Sequence, residues 1–265
     1  MPLCPLKIAI VSPPRLRYAK AVLWRIPWKP EIVLLLVGGG LTGWFGCTLL
    51  GELLRLGKVS GFASAYEPGS LLVATLSLHG TTVIAAAFFL HFHQLTWRDL
   101  TGRADWRWWR QAGLVLGMLV VVLPLMGLLK TGAEAVMQYF GLPVEDQAAV
   151  DILLKTGSPA ARLYLAVFTV TLAPLAEEIL FRGLIYSGLK KAGWPRAAWL
   201  INSGAFAAIH FNLPILLPLF LFALVQTWLY EKTEGLLAPV LAHSLFNAIN
   251  LVTLYILFKI GQLPT

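Results

Sequence analysis

Long apolar runs separated by short polar, basic breaks make up most of the chain, and this pattern predicts helices that cross a bilayer. A span needs about 20 mostly apolar residues. Seven segments qualify or nearly do: residues 32–53, 71–92, 112–129, 163–189, 197–209, 213–230 and 236–258. The fifth is short, and the break from Phe211 to Pro214 leaves room for a re-entrant turn. The expected fold is an all-α, polytopic membrane bundle of about seven transmembrane helices, in a range of six to eight. Between the third and fourth spans, residues 131–159 are polar and acidic, and Val150, Ile152, Leu153 and Leu154 predict a short amphipathic helix lying on the membrane. That element suits either an ordinary loop or a lid over a substrate entry. The Trp-rich stretch at 97–109 has the composition of an interfacial aromatic belt with Arg anchors.

Composition agrees with the pattern. Of 265 residues, 58% are hydrophobic and 13% charged, where soluble domains carry about 25% charged residues. The formal charge of +8 does not point to nucleic acid, because no recognition module accompanies it and the basic residues sit in loops, where they act as topology signals. Placing the N-terminus inside gathers Lys7, Arg15, Arg17, Lys20, Arg25 and Lys29, then Arg98, Arg103, Arg107 and Arg110, then Lys190, Lys191 and Arg196, then Lys232, on one side. The other side keeps Arg55, Lys58, Lys130, Lys155, Arg162 and Lys259. The expected topology is N-inside in a cell membrane. Near the N-terminus the apolar "LKIAIV" is too short for a signal-peptide core and is followed by basic residues and Pro13, Pro14 and Pro27, so no cleavage is expected. Two cysteines, Cys4 and Cys47, offer neither a disulfide framework nor a cysteine metal knuckle.

Polar groups at membrane depth are costly and mark functional sites by default. Four groups stand out, all in the C-terminal half. In "APLAEEILFRGL", Glu178 and Arg182 are i and i+4 on one helix, the better orientation for an ion pair, while Glu177 points about 100° away. Arg182 would then hold Glu178 and leave Glu177 as a carboxylate facing a wet pocket. "FAAIH" carries Phe206 and His210, "HSLFN" carries His243 and Asn247, and Asn250 is a weaker fourth. At 1.5 Å per residue, Glu177 and His210 lie roughly 18 and 22 Å from one inner loop, and His243 and Asn247 roughly 12 and 18 Å from another. Similar depths allow these groups to meet. A carboxylate, two histidines and an amide suit acyl-bond hydrolysis: Glu177 deprotonates water, His210 holds the water or shuttles its proton, and His243 with Asn247 stabilises the oxyanion. A zinc version, with Glu177, His210 and His243 as ligands and an open position for water, is equally compatible with the residue types. No G-x-S-x-G elbow and no P-loop is present.

The ordered set E-E-x-x-x-R (Glu177, Glu178, Arg182), F-x-x-x-H (Phe206, His210) and H-x-x-x-N (His243, Asn247) resembles the CPBP family of intramembrane proteases, the CAAX prenyl protease and bacteriocin-processing or Abi family. The resemblance covers residues 163–257 and divides the chain into a basic tail at 1–31, N-terminal spans and acidic loop at 32–160, and a catalytic core at 161–258. It implies an all-helical endopeptidase cutting a membrane-associated protein or peptide, in a multi-pass protein of a bacterial inner membrane. Glu177 would activate water, His210 assist and His243 with Asn247 form the oxyanion hole, with Glu178 and Arg182 in support. The family has also been labelled metalloprotease. Two other classes compete: a non-catalytic scaffold or immunity protein of the same fold, and a proton-coupled transporter. A scaffold has little need of Glu177 beside an already paired Glu178, and a transporter of this kind is expected to show an inverted repeat.

Overall fold

The computed structural model describes residues 30–101, 108–144 and 148–260. Most of the basic tail, the centre of the Trp-rich stretch, residues 145–147 of the acidic loop and residues 261–265 lie outside the described residues, and with them the expectation about N-terminal cleavage. All regular elements among the described residues are helical. They are α1 (Pro30–Leu56), α2 (Pro68–Phe92), α3 (Trp97–Thr101), α4 (Trp108–Tyr139), α5 (Ala148–Lys155), α6 (Pro159–Val170), α7 (Leu172–Glu178), a wide π-type segment (Ile179–Tyr186), α8 (Ser187–Lys191), α9 (Pro195–Ala208), α10 (Leu213–Thr233) and α11 (Leu237–Lys259).

Six helices or helix runs among them are long and apolar enough to cross a membrane: Val33–Leu56, Pro68–Phe92, Trp108–Tyr139, Pro159–Lys191, Leu213–Thr233 and Leu237–Lys259. The chain is a polytopic helical membrane protein. Large side chains such as Leu34, Leu35, Phe92, Val120, Val121 and Tyr255 are exposed, as a lipid-facing surface requires. The short fifth segment becomes α9, with 14 residues. It runs antiparallel to α10: Asn202 Nδ2 donates to Thr227 Oγ1 at 3.3 Å, and further along Phe206 and Phe222 share one core. The non-helical link Ile209–Asn212 completes its length, and Asn212 Oδ1 then accepts from Ile215 N to cap α10.

Two apolar clusters hold the bundle. One joins Val115, Met118, Leu119, Val122 and Met126 of α4 to Phe181, Phe206, Phe222, Ala223 and Ala242. The other joins Ala86, Phe89 and Leu90 of α2 to Ile179, Leu184, Tyr186, Ala198 and Tyr230. Helix α1 reaches this second cluster because Gly188 has no side chain; a Cβ there would lie 2.5 Å from Val33 Cγ2. Helix α10 is the most enclosed span, whereas α1 and α11 are the most open to lipid.

The structure departs from the sequence reading in two places. The third span does not end near Leu129: α4 continues through residues 131–139, which read as loop. Its 32 residues are roughly 48 Å long, well beyond the hydrocarbon core. The fourth span is interrupted. Pro174 lacks the N–H that Val170 O would receive, and Thr171, at φ −116° and ψ −73°, separates α6 from α7. Seven residues after the break the helix widens into the π-type segment, where Ser187 Oγ donates to Arg182 O at 2.8 Å.

Candidate active site

Interrupting the fourth span sets the position of both glutamates, which end α7 immediately before the π-type segment. Glu178 and Arg182 are fully buried and paired at 2.9 Å. Arg182 also donates through NH2 to Ala223 O at 3.0 Å, and its guanidinium lies 4.9 Å from the Phe206 ring centroid. Glu178 Oε1 gathers further donors: His243 Nδ1 at 2.9 Å and Gln226 Nε2 at 3.3 Å. Gln226 Nε2 is also bound to Pro239 O at 2.9 Å. One carboxylate therefore ties α7, the π-type segment, α10 and α11 together. Buried charges need such pairing, since an unpaired one is strongly destabilising.

Glu177 faces a different way, as the helical offset from Glu178 predicts. Its side chain is 15% exposed, and its Oε1 lies 3.2 Å from His79 Nε2. Oε2 is buried, has no hydrogen bond, and lies 3.8 Å from His243 Nε2. His243 thus stands between the glutamates, with Nδ1 against Glu178 and Nε2 toward Glu177. Its ring is edge-on to Phe206 and Phe222, at 5.8 and 5.6 Å between centroids.

His210 lies just past the end of α9, in a turn rather than in the helix. Its Nδ1 is 2.8 Å from Phe206 O and its ring is 5.1 Å from that of Phe206. As Phe206 O can only accept, Nδ1 carries the hydrogen and Nε2 is left with its lone pair. Phe206 is therefore shared: it packs on Arg182, His210 and His243. Asn247 Nδ2 donates to Thr169 O at 2.8 Å, in the last turn before the chain break. This uses one of the two amide hydrogens and holds α11 against α6. Asn250 is exposed and bonds only its own helix, at Phe246 O.

Sequence reasoning placed every polar candidate in the C-terminal half and missed two residues. His79 is a histidine in mid-span of α2, between Thr75, Ser77, Thr81 and Thr82, and the depth argument used for His210 applies to it equally. Gln226, fully buried in α10, is the other. The zinc donors named from sequence, Glu177, His210 and His243, are not gathered into a ligand set: among the described residues no three His, Cys, Asp or Glu side chains are spaced to hold a metal ion.

These features define a helical membrane protein with an ionisable cluster enclosed between its spans. Residues 159–249 match the family described as Type II CAAX prenyl endopeptidase Rce1-like. A stretch of 77 residues is 32% identical to the UPF0177 protein YxdF of Lactococcus lactis subsp. lactis (strain IL1403), covering 29% of this chain and 42% of that protein. The chain thus spans less than half the length of this relative. No solved structure matches. Both findings are consistent with a protein of the CPBP family, and the matched segment is the one that holds all three motifs.

Proposed function

We propose that the protein is an intramembrane endopeptidase that cleaves a peptide bond within, or near the C-terminus of, a membrane-associated protein or peptide by glutamate-activated water. The family match supports a CAAX-type intramembrane protease at the family level. The observation that carries the finer reading is the division of labour between adjacent carboxylates. Glu178 is fully buried, and its Oε1 is taken by Arg182, His243 and Gln226; Glu177 has no Arg partner, keeps 15% exposure, and turns an Oε2 without a hydrogen bond toward His243 Nε2.

In this mechanism Glu177 Oε2 takes a proton from water as the water attacks the scissile carbonyl. His243 donates through Nδ1 to Glu178 Oε1, so it can act on the oxyanion only as the imidazolium, with a second hydrogen on Nε2; in that form Nε2–H, together with the second amide hydrogen of Asn247, stabilises the tetrahedral oxyanion. His210 Nε2 holds the attacking water. The proton held on Glu177 then passes to the leaving amine. The substrate enters from the bilayer, and the basic helix ends face the interior of a bacterial cell across its inner membrane.

The test is a comparison of protein termini in membranes of cells expressing wild type, Glu177→Gln or His210→Ala at matched levels. New termini are expected with wild type and absent from both variants, which still accumulate in the membrane. Identical termini in all three would favour the non-catalytic scaffold instead.

A further inference from the structure

We propose that His79 is a positioning residue for Glu177, so that the N-terminal half supplies part of the active site; this rests on reading Glu177 as the base. His79 lies 98 residues before Glu177 and outside the segment that matches the family. Its environment is built. Nδ1 is 3.1 Å from Thr75 O, one turn back on α2. The ring stands edge-on to Phe168 of α6, with centroids 5.1 Å apart and planes at 89°. Thr75 Oγ1 in turn lies 2.8 Å from Leu71 O and 2.6 Å from the Tyr164 hydroxyl. The turn of α2 that carries His79 is thereby clamped to α6, the helix that leads into the two glutamates.

Hydrogen-bond accounting gives this contact its chemical content. Thr75 O can only accept, so Nδ1 carries a hydrogen. On the other side of the ring Nε2 meets Glu177 Oε1, and two lone pairs do not attract. A single proton must lie in the Nε2–Oε1 contact for it to form. That proton fixes Oε1 on His79 and sets the plane of the carboxylate. Oε2 is then the oxygen left to work, directed at His243 Nε2. Without His79 the carboxylate is free to turn about its own axis, and the base loses its aim. A displacement of about 1 Å at a reacting group costs about a hundredfold in rate.

A contact between α2 and α7 could also serve packing alone, so the test must separate the two. Cells expressing wild type, His79→Phe, His79→Gln and Glu177→Gln at matched levels are followed for the rate at which wild-type-specific termini appear after induction, and the membranes are assayed for thermal aggregation of each variant. His79→Phe keeps the volume and removes the donor, so the rate is expected to fall about a hundredfold with an unchanged aggregation temperature. His79→Gln retains an N–H toward Oε1 and is expected to recover about tenfold of that loss. An undiminished rate in His79→Phe would overturn the assignment, as would equal losses in both variants with a lowered aggregation temperature. A wild type that yields no more termini than Glu177→Gln overturns the protease reading itself, a distinguishable failure.

Discussion

At the residue scale the site depends on one ion pair more than on any other contact. Arg182 and Glu178 are both fully buried, and removing one partner from a buried pair costs about 3–5 kcal/mol because the other charge is left behind. Arg182→Met is therefore expected to lower the unfolding midpoint sharply in detergent-solubilised protein. Combining it with Glu178→Gln removes the stranded charge and is expected to recover part of the loss, a coupling that a double-mutant cycle measures. If the two changes simply add, the pair is not the anchor described here. This pair was legible from sequence because its members are i and i+4 on one helix. The placement of Glu177 on a separate face followed from the same helical geometry. His79 stood at membrane depth in the sequence, but its partner and that of Gln226 were not legible, since they lie 98 and 48 residues away and no local spacing records a contact between different helices. The fate of Asn247 Nδ2 was hidden for the same reason: its acceptor is a backbone carbonyl of α6.

At the scale of elements, hydropathy located the spans but not their irregularities. The apolar signal fades after Leu129, yet α4 continues because Ala133, Glu134, Ala135, Met137 and Gln138 are strong helix formers. Lys130 and Glu134 add an i,i+4 pair at 3.5 Å. The opposite error occurred in the fourth span, where uniform apolarity concealed both the break at Thr171 and the π-type segment. Pro174 was the available signal. Wide turns of this kind recur at functional sites, and here the break and the widening bracket the two glutamates. Pro174→Ala restores an N–H to Val170 O and removes a residue that costs about 3 kcal/mol within a helix. The expected outcome is a protein at least as stable to heat, with α6 and α7 drawn toward one continuous helix. Glu177 would then be carried away from His79, and product termini are expected to appear about tenfold more slowly or worse, given what small misplacements cost. Unchanged cleavage in this variant would show that the break has no part in aiming the carboxylate.

At the scale of the whole molecule, the segment that matches the family is not a self-contained unit. Phe181, Phe206 and Phe222 pack on a stripe of α4 running from Val115 to Met126. Glu177 is met by His79 of α2, and α1 is fitted against Gly188. All of these partners precede residue 159, where the family match begins. The part played by the residues before 159 was hard to read in sequence because this half carries no motif of its own; among its described residues α4 supplies a wall and α2 an imidazole against Glu177. Membrane helices form first and associate afterwards by packing and interhelical hydrogen bonds, so the two halves should assemble when made separately. Cutting the chain between Pro143 and Val144, both exposed, separates α1–α4 from the rest. Co-expression of the two pieces is expected to restore wild-type termini, whereas the C-terminal piece alone is expected to insert without cleaving. Activity from the C-terminal piece alone would mean that residues after the cut hold the complete site, and that neither the α4 wall nor the imidazole of α2 is needed to aim Glu177.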